Sequence, residues 1–357
     1  MDKSLLPGNK MSDKENQIEE LRSRLEGIPP LEDEEDFFTS YETLARYLKS
    51  YNWNVNEAEK YLKATIEFRR EQRPLYVDCK YCHERPGYHS MRQVGFDEMG
   101  RPVIYANFAQ AATYKYMLDD SVAHVTYLIE NAKRTMKPGI STWVFVIDCT
   151  GMTLSACNPK LGYGVTQALA DHYPERLGLV ICINHNAVFH GVWIAIKGFL
   201  HPQTVAKMKL IRSKRKVMHA FEKYFSPELM DWLVKEIKFN KQKPLPASQK
   251  EFWNASAGGH DPRGCPSYIR DYVEPYVNSD PDTRPSHKPH PNIIDTACGK
   301  VKAIALTAEE QKEREMAQQV APESEDCLGS DDEAAAVATI EISEEFQIPS
   351  DATKLCT

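Results

Sequence analysis

The stretch LGLVICINHNAVFHGVWIAIKGFL, residues 177–200, decides the fold. Its first part, Leu177–Ile183, is apolar without alternation, as in a strand covered by helices on both faces. Its second part, Ala187–Leu200, has helical length yet is apolar nearly all round, with His190 and Lys197 as the main polar breaks. A helix of that kind is either fully buried or faces lipid.

Working outward, Trp143–Ile147 is another uninterrupted apolar run, closing on Asp148 and Cys149-Thr150-Gly151. Between the two runs, Gly164–Tyr173 reads as a helix. Upstream, Asp119–Thr135 is a second, with Val122, Val125, Leu128 and Ile129 inward. GFDEMGRPVIY, residues 95–105, sets a polar turn at Asp97–Gly100 before a β-branched run that reads as a strand. Downstream, Thr204–Ile211 alternates like a strand, RSKRK (212–216) is a basic knot, and Ser226-Pro227 opens a helix carrying Leu229, Trp232, Leu233 and Ile237. Strand and helix in alternation predict an α/β domain with a mainly parallel sheet over residues 95–254.

Residues 14–74 have another character. KENQIEELRSRLE (14–26) places Ile18, Leu21 and Leu25 at helical spacing. Tyr41–Lys49 carries Leu44, Tyr47 and Leu48 on one side. Asn56–Arg70 reads as a helix capped by Asn56, with Glu59 completing a capping box and Pro74 ending it. This is a small all-helical lobe, joined to the α/β domain by a connector, residues 75–94. Residues 1–13 and 255–357 read as disordered. The tail is acidic around ESEDCLGSDDEAAA, with TIEIS and EEFQI as possible docking motifs for a protein partner.

The chain has 357 residues, formal net charge −7, 42% hydrophobic and 27% charged residues. An acidic balance argues against nucleic acid as a partner. No apolar run spans a bilayer, and the first twenty residues lack the apolar core of a signal peptide. The nine cysteines are odd in number and mostly scattered, as suits reduced thiols in the cytoplasm. CKYCH (79–83) has the haem-attachment spacing, but covalent haem needs an oxidising compartment. Cys79, Cys82 and His89 also have a C-x₂-C-x₆-H spacing that suits a structural zinc, with the fourth ligand from His83 or a later histidine; a reduced thiol pair is the simpler reading.

Catalytic readings find little support. VFVID lacks the phosphate-binding loop that a nucleotide hydrolase needs. Gly162 and Gly164 lack the third glycine of a dinucleotide site. Cys157 has no partners at telling spacing, and Asp148 reads as a strand-end residue satisfying backbone donors. The basic residues Lys207, Lys209, Arg212, Lys214, Arg215 and Lys216 follow the apolar helix directly, a pairing that fits an anionic membrane surface. Binding is favoured over catalysis.

The order of these features resembles the CRAL-TRIO family of lipid-binding proteins. The resemblance rests on LARYLKSYNWNVNEAEKYLKATIEFRRE (44–71), GFDEMGRPVIY (95–105), WVFVIDCTGM (143–152) and DHYPERLGLVICINHNAVFHGVWIAIKGFLHPQTVAKMKLI (171–211). It implies a sheet flooring an apolar pocket for one lipid, closed by a gate helix, here Ala187–Leu200. Phe189, Trp193, Ile196 and Phe199 would then meet acyl chains. By resemblance to the inositol-binding branch, Glu175, Thr204 and Lys207 match residues that hold the headgroup phosphate. Two departures stand out: that branch's Arg-Lys pair aligns with Tyr51-Asn52, and its phosphatidylcholine hydroxyls align with Trp143 and Phe145. The resemblance therefore implies a monomeric, non-enzymatic lipid carrier or presenter that visits membranes transiently and needs no cofactor beyond its lipid, with a phosphatidylinositol-type ligand favoured. The competing reading is an interaction scaffold or lipid sensor with a degenerate pocket.

Overall fold

The computed structural model of the chain describes residues 12–77, 89–110, 118–153, 159–198 and 200–251. The helical lobe comprises α1 (Asp13–Arg24), α2 (Tyr41–Ser50) and α3 (Val55–Gln72). Ser12 and Glu15 form a reciprocal capping box on α1, and Ser40 caps α2. The cap of α3 is Asn54 rather than Asn56: its side chain accepts from the Asn56 and Glu57 amides. Asn56 Oδ1 instead accepts from Arg24 at 2.6 Å, which ties α3 to α1. Ile18, Leu21, Leu44, Leu48, Leu62 and Ile66 close the lobe's core with at most 1% exposure.

The α/β part contains a sheet of order β1-β2-β3-β4-β5. Its strands are β1 (Arg92–Phe96), β2 (Pro102–Asn107), β3 (Trp143–Asp148), β4 (Leu177–Ile183) and β5 (Met208–Ile211). β1 and β2 form an antiparallel hairpin, and the remaining neighbours are parallel. β1 begins inside the segment expected to be connector. Its buried Arg92 and Gln93 break the apolar pattern by which a strand is recognised.

The helices are α4 (Leu118–Arg134), α5 (Pro159–His172), α6 (Ala187–Lys197), α7 (Pro202–Ala206), α8 (Lys214–Tyr224), α9 (Pro227–Asn240) and the single turn α10 (Ala247–Lys250). Two differ from the sequence reading. Thr204–Ile211 is not one strand: Pro202 at the first turn and a cap from His201 wind Pro202–Ala206 into α7, leaving four residues for β5. The basic knot, in turn, runs on into α8, whose Ala220 and Phe221 are buried.

Alternation along the strands gives the sheet two unlike faces. One presents Val103, Tyr105, Val144, Val146, Leu179 and Ile181 to Phe221, Phe225, Leu229 and Leu233 from α8, α9 and the turn between them. Burial of such side chains contributes about 1.5–3 kcal/mol each. The other presents Ile104, Phe145, Val180 and Cys182 to α4, but toward β5 it is covered less completely: Ile147, Met208 and Leu210 are only half-buried.

A polar seam binds the lobe to this domain. Arg69 on α3 donates to Glu34 at 2.6 Å and to Glu130 on α4 at 3.0 Å. Glu130 also accepts from the Tyr173 hydroxyl at 2.7 Å and from Lys133 at 2.8 Å. Burial opposes ionisation of Glu130, but Lys133 and Arg69 outweigh it and hold the carboxyl at about 2. Beside them Thr65 donates to the Asp171 carbonyl at 3.2 Å, and Phe68 stacks on His172 at 3.8 Å.

Candidate functional site

The chain leaves β4 through Asn184, whose φ of 53° lies in the left-handed region. Asn184 is held there on both sides of its amide: it donates to Asp148 at 2.8 Å and accepts from Lys241 at 2.7 Å. Asp148, fully buried, also accepts from Asn107 at 2.8 Å, the Thr150 hydroxyl at 2.7 Å and the Thr150 amide at 3.1 Å. Burial raises its pKa, and the donors from Asn184 and Thr150 offset only part of that. Asp148 is thus a bracing carboxylate, satisfying side-chain donors as well as the backbone. Two residues on, Asn186 accepts from the Phe189 amide at 3.0 Å and donates to the Met152 carbonyl at 2.9 Å, which sets the entry of α6.

α6 then runs back along the less-covered face of the sheet. Phe189 packs against the buried cluster of this face, which includes Ile104, Phe145, Val180 and Cys182, as do the half-buried Ile147, Met208 and Leu210, while Trp193 is half-buried and Ile194 is 63% exposed. The Ile196 side chain and Phe199 lie outside the described residues. The result is an apolar layer under a helix that is apolar on its outer side too.

At the opposite strand ends lies a charged cluster. Glu175, in the turn between α5 and β4, has a φ of 56°, a conformation that costs a non-glycine residue free energy and collects at functional sites. Its carboxylate receives Lys49 Nζ at 2.7 Å and Lys207 Nζ at 3.8 Å. Lys207 caps α7, its amide donating to the Thr204 carbonyl at 3.1 Å and its carbonyl accepting from the Val180 amide at 2.9 Å. Thr204 and Lys207 therefore sit one turn apart on the same side. The structure brings Glu175 and Lys207 together, with Thr204 a turn away.

Lys49 escaped the sequence reading, which looked for cations two residues later, at Tyr51-Asn52. Its signal is its place in the last turn of α2, where a lysine favours the helix dipole and reaches beyond the lobe. Arg46 is one turn earlier, half-buried, donating to Thr43 Oγ1 at 2.8 Å. Arg176, next to Glu175, donates to the Ser141 carbonyl at 3.0 Å.

Arg212, Lys214, Arg215 and Lys216 are exposed at the start of α8. No acidic residue lies in that first turn, and Ser213 makes no side-chain cap, so three cations stand unfavourably at the positive pole of the dipole. Lys209 is half-buried on the other side of the sheet from α6, its Nζ 6.0 Å from the Tyr224 ring. Cys79 and Cys82 lie outside the described residues. His89 is buried, its ring stacked on His124 at 3.9 Å. Among the described residues no group of three or more His, Cys, Asp and Glu is placed to hold a metal ion, and no helix is long and apolar enough to cross a membrane.

Comparison with known proteins follows this anatomy. Residues 89–231 match the CRAL/TRIO domain and residues 17–64 the CRAL/TRIO N-terminal domain. A CRAL-TRIO domain-containing protein of Schizosaccharomyces pombe is 31% identical over 201 residues, 52% of this chain and 43% of that protein. The phosphatidylinositol transfer protein PDR17 of Saccharomyces cerevisiae is 28% identical over 196 residues, 50% of this chain and 54% of that one. The SEC14 cytosolic factor of Kluyveromyces lactis is 27% identical over 228 residues, 58% of this chain and 73% of that one. The chain thus spans about half the length of the first two relatives. The crystal structure of Sfh5 aligns at 17% identity with a TM-score of 0.46, over 57% of this chain and 81% of that one. With its helical lobe, its mainly parallel sheet and the apolar helix α6 in the order the two domain matches require, the chain belongs to the CRAL-TRIO family.

Proposed function

We propose that this chain is a lipid carrier rather than an enzyme: it encloses one lipid between the sheet and α6 and carries or presents it between membranes, with phosphatidylinositol-type lipids preferred. The observation that carries this reading is the contrast between the two sheet faces. One is sealed by α8 and α9, while the other, against which Phe189 of α6 packs, leaves Ile147, Met208 and Leu210 half-buried. Acyl chains there gain about 0.8 kcal/mol per buried CH₂. The names of PDR17 and the plant phosphatidylinositol/phosphatidylcholine transfer proteins among the relatives support the lipid class.

For the headgroup, Lys207 supplies a cation and Thr204 a hydroxyl, while Glu175 orients the lysines and accepts from ring hydroxyls. Lys49 takes the place of the Arg-Lys pair that Tyr51-Asn52 lack. Residues 14–74 act as the lobe that brings Lys49, and residues 95–254 as the lipid domain. Arg212, Lys214, Arg215 and Lys216 serve the membrane encounter, each contributing roughly 1 kcal/mol at an anionic surface. A structural zinc on Cys79, Cys82 and His89 would staple the connector, and zinc assay of the purified chain tests it. The central test is mass spectrometry of lipid co-purifying with the full chain, together with transfer of labelled phosphatidylinositol between vesicles. Co-purified inositol lipid with transfer is expected; absence of both overturns the reading.

A further inference from the structure

The root of α6 is held from two directions, and both lead to the end of α9. Directly, Lys241 donates to Asn184 Oδ1 at 2.7 Å. Indirectly, Asn240, the last residue of α9, reaches the same asparagine through the core. Its Nδ2 donates to the Tyr105 hydroxyl at 3.0 Å, and that hydroxyl donates to Asp148 Oδ2 at 3.2 Å. Asp148 Oδ1 in turn accepts from Asn184 Nδ2 at 2.8 Å. Asn240, Tyr105 and Asp148 are each at most 3% exposed, so a lost partner is not replaced from solvent. The sense of this relay is set one step further out. Gln249, fully buried on the single turn α10, donates from Nε2 to Asn240 Oδ1 at 2.8 Å. With its oxygen so occupied, the Asn240 amide turns its NH₂ toward Tyr105. A phenol has one proton; receiving a donor from Asn240, it gives that proton to Asp148. Without the donor from Gln249, Asn240 is free to turn its oxygen to Tyr105 and draw the proton away. Asp148 Oδ2 then keeps only its bond from Asn107, at 2.8 Å.

We infer that Gln249 is a positioning residue for α6: from α10 it fixes the donor direction of the Asn240–Tyr105–Asp148 relay and so holds Asn184 and the entry of α6 in place. Strain at Asn184 gives the relay its leverage. A non-glycine residue in the left-handed region, here at φ 53°, costs free energy and persists only while its surroundings over-determine it. Loosening one arm of that grip therefore favours release of the root. As a control on the escape of a bound lipid, the inference rests on the carrier reading above; as a statement about α6 it stands apart from it.

The test is hydrogen exchange of the full chain without added lipid, read by mass spectrometry over residues 184–197. Uptake of fluorescent phosphatidylinositol and its release to phosphatidylcholine vesicles is the second readout. Gln249→Met keeps the size of the side chain and removes the donor; Tyr105→Phe removes the hydroxyl. Each is expected to speed exchange in α6 about tenfold, the scale of one hydrogen bond, and to leave α1 and α3 of the helical lobe unchanged. Because both act on one relay, the double variant should exchange no faster than either single one. Lys235→Ala, on the exposed side of α9, should leave α6 as in the wild type. Lipid release should quicken in the same order. Exchange in α6 within about twofold of wild type in both variants overturns the inference. So does a rise of about a hundredfold in the double variant, the mark of independent effects. A rise spread equally over the lobe and the sheet also overturns it, since stability alone is then lost. Relay-dependent exchange in α6 with no uptake of lipid keeps the inference and overturns the carrier reading.

Discussion

Lys207 illustrates how much one side chain depends on its surroundings. It reaches Glu175 only because α7 winds Thr204 and Lys207 into one turn and because Glu175 is held in a left-handed conformation. Lys207→Ala is expected to slow phosphatidylinositol transfer about tenfold, the scale of one charge-assisted hydrogen bond, as read by a fluorescent-lipid transfer assay. Thr204→Ala should cost less, since a neutral hydroxyl is replaced. Transfer unchanged in both variants would remove these residues from the headgroup site. Lys207, Thr204 and Glu175 were singled out through a resemblance of short motifs, and the structure brings the first and last of them together. Lys49 was not, because it belongs to another lobe and its nearness to Glu175 spans a separation that no local pattern encodes.

Among the elements, α3, α4 and α5 meet through titratable groups, so their junction responds to acid. Glu130 is depressed to about 2, against roughly 4.3 for a free glutamate. Its stabilisation, on the order of 3 kcal/mol, is fully present above the unfolded value and is lost as pH falls toward 2. His172 is depressed to about 4 by burial and then by Arg69, so the folded state loses stability as pH falls from about 6.5 toward 4. Both effects have the same sign. Thermal midpoints should fall on acidification from pH 7 to pH 4, and hydrogen exchange should quicken first in α3 and α5. Glu130→Gln should cost about 3–5 kcal/mol at neutral pH by removing the buried carboxylate that Arg69 and Lys133 share, Arg69 keeping only Glu34; a midpoint unchanged by that substitution would show that the seam bears little load.

α6 poses the opposite case, an element whose apolar surface exceeds its contacts. Ile194 at 63% exposure points away from the core. Ile194→Asp is expected to leave stability within about 0.5 kcal/mol while reducing vesicle association and transfer. A large loss of stability would place Ile194 in the fold rather than at the membrane.

At the scale of the molecule, the exposed cations Arg212, Lys214, Arg215 and Lys216 lie in the chain directly after the α6–α7–β5 crossover, the order on which the proposed membrane encounter rests. Replacing Arg212, Lys214, Arg215 and Lys216 together by Gln should weaken sedimentation with phosphatidylserine vesicles by an order of magnitude or more. The difference should shrink in high salt, where charges are screened. Binding equal to wild type at low salt would assign the cluster another role.

By itself the sequence determined the alternation of strand and helix, the apolar character of α6, the lobe's core and the family. These follow from local periodicity and from motifs in chain order, which burial enforces residue by residue. The tertiary structure alone decided which sheet face is less completely covered, that Thr204–Ile211 divides into a helical turn and a short strand, and that Lys49 stands beside Glu175. Those outcomes depend on which elements pack on which face and on charges far apart in the chain, and no local pattern records either.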